Sequence, residues 1–199
     1  MFYPRSLENL IESFKMLPGI GEKTAERLAF AVLSFDLDDV KKFSNNLLAI
    51  KKDIKKCPIC GTLTDDDICF VCKDKTRNSN VLVVVEDSKD VFLFEKMGKF
   101  DGYYHVLGGL ISPLNDVGPE DISVHELIDR IKKNNVKEVI LAIKSGIDAD
   151  MTSLYIKKLL EGTDVVISRI ASGIPIGADM DYVDALTLES ALKNRKEVL

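Results

Sequence analysis

The chain has 199 residues, 46% of them apolar and 30% charged, with a formal net charge of −5. That length allows one large domain or two to three small modules, and the charge argues against wholesale coating of nucleic acid. No apolar run is long enough to span a bilayer and the opening Met1-Phe2-Tyr3-Pro4-Arg5 is not a signal peptide, so a cytoplasmic, reducing location is expected, with no membrane partner.

Charge is unevenly spread. Residues 1–56 carry ten Lys/Arg against eight Asp/Glu, whereas residues 79–165 carry ten against fifteen. The basic end opens with Leu7, Leu10, Ile11, Phe14 and Leu17 at helical spacing. They predict an amphipathic helix over residues 6–16 with Ser6 as N-cap. Leu17-Pro18-Gly19-Ile20-Gly21 breaks it. A second helix should run to about residue 33 and bury Ala25, Leu28, Ala29 and Val32. Gly19 and Gly21 permit a sharp turn, and free N–H groups at the start of the second helix suit an anion such as a DNA phosphate. Lys23 and Arg27, four apart, share a face beside that turn and could add phosphate contacts. On residues alone, an ordinary hairpin with Lys23 and Arg27 paired to Glu22 and Glu26 fits equally well. A third helix is expected over residues 36–52, opened by acids and closed by lysines as the helix dipole favours.

All four cysteines follow within one stretch: Cys57-Pro58-Ile59-Cys60 and Cys69-Phe70-Val71-Cys72. Two such knuckles close a tetrahedron around a soft divalent ion, with zinc the best fit and no coordination position left open for catalysis. Paired disulfides would suit a secreted chain, and a redox dithiol needs only one pair.

From Asn80 the texture changes. Val81-Leu82-Val83-Val84-Val85 is an unbroken apolar run, as in a strand covered on both faces. Short strands at residues 103–106, 139–143 and 165–167 alternate with helical patterns, which predicts a parallel α/β sheet. The tail from Ser172 holds Gly-Ile-Pro-Ile-Gly and a last helix near residues 183–195. Glu86 ends the first strand, and Asp148 and Asp150 follow the third. Ligands gather at the carboxyl ends of parallel strands, so these three carboxylates could hold Mg²⁺ weakly. Equally, Asp148 or Asp150 could cap a helix beginning near Met151. No nucleophile or general base stands beside them. His105 and His125 lack metal-ligand spacing, and His105 is expected to pack or bond locally. No Walker A sequence is present, so hydrolysis of ATP is not expected.

Two of these segments resemble known modules. Residues 17–29 are similar to the helix-hairpin-helix of DNA repair proteins, and the acids at strand ends are similar in arrangement to the Toprim domain. Taken together, LPGIGEKTAERLAF (17–30), the four cysteines, YHVLGGLISPLNDVGPEDI (104–122) and SRIASGIPIGADMDYVDALTL (168–188) resemble the RecR family of bacterial recombination mediators along nearly the whole chain. The resemblance implies an α/β multi-module fold. Its parts are a helix-hairpin-helix domain (1–53), a four-cysteine zinc finger (54–76), a Toprim domain (79–168) and a Walker-B-like region with a final helix (169–199). It implies a non-enzymatic protein that binds DNA without sequence preference, near the nucleoid, and assembles from homodimers into a homotetrameric ring. RecO and RecF are the implied partners, in loading RecA on gapped DNA. Lys23 and Arg27 would fall on the DNA-contacting helix and Glu86 on the Toprim glutamate.

One stretch departs from the family pattern. Where members carry a sequence like T-N-P-T-V-E-G-E-A-T-A, this chain reads Ile143-Lys144-Ser145-Gly146-Ile147-Asp148-Ala149-Asp150-Met151-Thr152-Ser153. The segment lies near the implied RecO surface. Two alternatives stand beside the mediator: a Mg²⁺-dependent Toprim nuclease or primase-like enzyme using Glu86, Asp148 and Asp150, and a zinc module that binds protein only.

Overall fold

A computed structural model describes residues 3–171 and 173–195. Ser172, at the start of the tail, and Met1 and Phe2 at the N-terminus lie outside them. The chain divides into two compact units, Met1–Ile54 and Lys55–Leu199.

The first unit is helical. α1 (Arg5–Lys15) and α2 (Glu22–Val32) pack on each other, and α3 (Leu37–Lys52) follows. Leu7 and Ile11 of α1 bury against Ala25 and Ala29 of α2, flanked by half-buried Leu10, Phe14 and Ile20. Two alanines, both fully buried, let the helices approach closely. Leu28 and Val32, expected in this core, are only half-buried. The N-cap of α1 is Pro4 and not Ser6: Leu7 and Glu8 N–H donate to Pro4 O at 2.9 and 3.1 Å, which places Ser6 inside the first turn. α3 begins as its acids predicted, the Asp36 carboxylate accepting from Asp39 N–H at 2.8 Å.

The second unit is built on a parallel sheet. Its strands are β3 (Val81–Val85), β4 (Tyr103–Val106), β5 (Glu138–Ala142) and β6 (Val166–Arg169), in the order β4-β3-β5-β6. Helices α5 (Ser88–Met97), α6 (Val124–Asn134), α7 (Ile147–Leu159) and α8 (Ala185–Lys193) complete the alternation. β3 is central, and its apolar run serves both faces. Leu82 and Val84 join one core with Leu127, Ile131, Val139, Leu141 and Ile156, under α6 and α7. Val83 and Val85 join a second core with Val91, Tyr104 and Val106. β5 and β6 each sit about one residue away from the expected span, and α7 starts at Ile147, four residues before Met151. The helix starts early because Gly146 supplies the break, with φ 148° and ψ 173°, a conformation nearly confined to glycine. Asp148 and Asp150 therefore lie in the first turn, where they complement the helix dipole without serving as N-cap.

The cysteine segment belongs to this unit. A two-residue ladder, β1 (Lys55–Lys56) with β2 (Leu63–Thr64), carries the first knuckle, and the short helix α4 (Phe70–Lys73) carries the second. No helix among the described residues is long and apolar enough to cross a membrane.

Candidate metal centre and nucleic-acid interface

The first knuckle closes through Gly61 N–H donating to Cys57 O and Cys57 N–H donating to Thr62 O, both at 2.8 Å. The turn needs φ +77° at Gly61, and a side chain there would also meet Val106 O at 3.0 Å. In the second knuckle Cys69 is the N-cap of α4, its sulfur accepting from Cys72 N–H at 3.5 Å. The four sulfurs converge to within 4.8 Å of one another, with Cys60 and Cys69 Sγ 3.5 Å apart. All four residues are buried and none forms a disulfide. A tetrahedron of thiolates about 2.3 Å from a zinc ion has edges of about 3.8 Å, so the donor set fits the metal. Hydrogen bonds from Cys60 and Cys72 hold the Cys69 thiol down at about 3, whereas the neighbouring thiols and burial push Cys72 far up. A divalent cation removes that conflict by allowing every sulfur to be a thiolate. The site is a structural zinc centre.

What the spacing did not reveal is where these cysteines sit. They share a core with Val83, Val85, Val91, Tyr104 and Val106, so the knuckles are the cover on one face of the sheet. Val106 N–H donates to Cys60 O at 2.8 Å. Further along, Arg77 holds Glu95 through two nitrogens at 2.9 and 2.5 Å, and Tyr104 donates to the same carboxylate at 2.7 Å. Burial alone would raise the Glu95 carboxyl, but Arg77 and Tyr104 outweigh it and hold it below its ordinary value. On the opposite face His105 is buried, its Nε2 donating to Ser123 O at 2.8 Å, while Nδ1 has no partner among the described residues. Burial drives its pKa down to about 4, so it stays neutral.

In the first unit, Gly19 takes φ +79° and Gly21 is the N-cap of α2. With no side chain at Gly21, no side-chain cap covers the amides that open α2. Lys15 reaches across the turn to Glu22 at 2.6 Å and also meets Glu12 at 2.8 Å. Glu22 is thus engaged by Lys15 and not by Lys23. Lys23 and Arg27 are exposed, and no ion pair among the described residues includes either.

Two of the acids at the strand ends are engaged by cations. Glu86 accepts from Lys144 Nζ at 3.0 Å, and Asp150 accepts from Arg169 Nη1 at 2.5 Å. Among the described residues the four cysteines are the one group of three or more metal-ligating side chains whose ligand atoms all lie within 4.8 Å of one another. The segment 107–122 has a structural role. Leu107, Leu110, Ile111 and Ile122 bury in the α6/α7 core, and Ile111 N–H donates to Thr152 Oγ1 at 2.9 Å.

Comparison with known proteins accounts for each part of this architecture. Residues 7–51 match the family model described as RecR, helix-hairpin-helix, and residues 54–74 match the RecR zinc finger domain of the four-cysteine type. Residues 80–171 match the Toprim domain, and residues 173–196 match RecR, C-terminal. The chain is 48% identical over 198 residues to the recombination protein RecR of Streptococcus thermophilus, with both chains covered in full. The corresponding proteins of Streptococcus equi subsp. equi and Streptococcus pyogenes serotype M49 are 47% and 46% identical over the same span.

Proposed function

The chain belongs to the RecR family, and we propose that within recombinational DNA repair it binds DNA through the α1–α2 hairpin. The observation that carries this is the pairing of uncapped amides after Gly21 with two exposed, unpaired cations, Lys23 and Arg27, on the same helix. Such contacts go to phosphates and confer no sequence preference. The protein acts as a mediator and not as an enzyme, with RecO and RecF as partners in loading RecA. Glu86, Asp148 and Asp150 then serve the partner surface and not metal catalysis. Self-association into a ring is supported by the apolar surface that the first unit leaves exposed, including Leu33, Leu47, Leu48 and Ile50.

The test is binding of duplex DNA as a function of salt. Lys23→Ala with Arg27→Ala should weaken binding to any sequence and lower the slope of log affinity against log salt by about 0.9 for each phosphate no longer neutralised. Unchanged affinity and slope would move the DNA surface to the lysines at 51–56 or to the zinc module. DNA should stay uncut in Mg²⁺ or Mn²⁺. Cleavage abolished by Asp148→Asn with Asp150→Asn would instead establish a nuclease.

A further inference from the structure

The four zinc ligands are not covered alike. Cys60 Sγ lies 3.2 Å from Oγ1 of the fully buried Thr62. Cys69 is itself fully buried and accepts from Cys72 N–H at 3.5 Å. A cavity of about 560 Å³ opens between the two knuckles, the start of β3 and α6, and its lining includes Ile59, Cys72, Ser79, Leu82, Tyr103 and Arg130. Of the four ligands Cys72 alone lines it. A water molecule occupies about 30 Å³, so there is room here for a solute of the size of a small peroxide.

The thiolate is the nucleophile toward a peroxide, and access decides which of several thiolates reacts. Access here favours Cys72. Its nearest chain neighbour among the ligands is Cys69, the N-cap of the helix that carries Cys72, and all four sulfurs lie within 4.8 Å of one another. An oxidised Cys72 therefore has a resolving thiolate already beside it.

We propose that the zinc centre is also an oxidation switch, opened at Cys72 by a small peroxide that enters through this cavity. The Cys72 thiolate attacks one peroxide oxygen: the S–O bond forms, the O–O bond breaks, and hydroxide leaves a sulfenic acid behind. The Cys69 thiolate then attacks the Cys72 sulfur: the S–S bond forms, the S–O bond breaks, and a second hydroxide leaves. The two sulfurs lose two electrons, and the peroxide gains them. Two of four donors are then gone, too few to hold zinc, and the knuckles lose their grip on the face of β3 and β4. A thiol reductant reverses the disulfide, and zinc can be bound again. The switch is distinct from the DNA-binding hairpin and stands whether or not that assignment holds.

The experiment treats the full-length, zinc-loaded protein with hydrogen peroxide. Released zinc is followed with a chromogenic chelator, and alkylation with mass spectrometry maps the cysteines over time. Release should reach about one zinc per chain, at a rate proportional to peroxide concentration. The first oxidised product should be the Cys69–Cys72 disulfide, with Cys57 and Cys60 still reduced, and dithiothreitol with added zinc should restore the centre. Ser79 is exposed and lines the cavity, so Ser79→Trp should obstruct it without altering thermal unfolding. Zinc release should then be at least about fivefold slower than in Ser79→Ala. The proposal is overturned by retention of zinc, by first oxidation at Cys57 or Cys60, or by oxidation of all four cysteines together. It is also overturned by a release rate indifferent to peroxide concentration, because the centre then opens by unfolding, or by equal rates in the two Ser79 variants. If Ser79→Trp unfolds, the order of oxidation in the unaltered protein decides alone.

Discussion

The two units reach order by different routes. In Met1–Ile54 four of the described residues, Leu7, Ile11, Ala25 and Ala29, form the buried core, while most of the large apolar side chains of α3 face solvent. Order there comes from helix signals, a tight glycine turn and close alanine packing. In Lys55–Leu199 the sheet has a core on each face, and one of these includes all four metal ligands. Two short knuckles cannot bury enough apolar surface to hold themselves, so the ion supplies what the sequence lacks. A surface that meets DNA tolerates change without loss of fold, whereas a metal that completes a core does not.

Removing zinc should separate the two units most strongly. The purified protein should carry about one zinc per chain, and chelation should remove a large share of the about 10–16 kcal/mol that structural zinc supplies in small domains. Hydrogen exchange should then accelerate across β3 and β4 while α1 and α2 keep their protection. Cys60→Ser should do the same. A stable, reduced, zinc-free protein with a protected sheet would contradict the shared core. A smaller effect is expected from Glu95→Gln, which leaves Arg77 half-paired beside the sheet. It should cost about 1–3 kcal/mol in chemical denaturation of the second unit and nothing in the first.

Acid should separate the units as well. His105 is held neutral at about 4 against an ordinary value of 6.5. The unfolded chain binds the proton first, so stability is fully present above pH 6.5 and is lost as pH falls toward 4. The loss should be on the order of 1–3 kcal/mol across that window, and His105→Gln should flatten it. Glu95, held low, adds a further loss below its ordinary value of 4.5. Unfolding curves at a series of pH values check both. The smallest stability change is expected at Lys23→Ala with Arg27→Ala, within about 0.5 kcal/mol, because these exposed side chains anchor nothing in the fold.

Much of this is legible in residue patterns. The Val-rich run predicts a strand covered on both faces, and the two knuckles predict the metal, because apolar continuity and thiol spacing are local signals. The hairpin is legible for the same reason. What escapes are features set by distant partners. Nothing in the spacing of Cys57, Cys60, Cys69 and Cys72 shows that they roof β3 and β4. Glu86, Asp148 and Asp150 look convergent at strand ends, but Lys144 and Arg169 engage two of them separately. The start of α7 escapes because its signal is the backbone of Gly146 and not a capping side chain. Ser6 fails as a cap because the preceding Pro4 already fixes the entry into α1.

On the proposed function, the hairpin holds DNA and the zinc-stapled sheet does not. Hydrogen exchange of the zinc-loaded protein, with and without duplex DNA, distinguishes the two surfaces. DNA should slow exchange at the amides following Gly21 through Arg27 in the native protein, leave β3 and β4 unchanged, and have no effect in the Lys23→Ala, Arg27→Ala variant. Protection appearing instead at residues 51–56 or within the cysteine knuckles, and surviving in that variant, would place the DNA surface there and not on the hairpin.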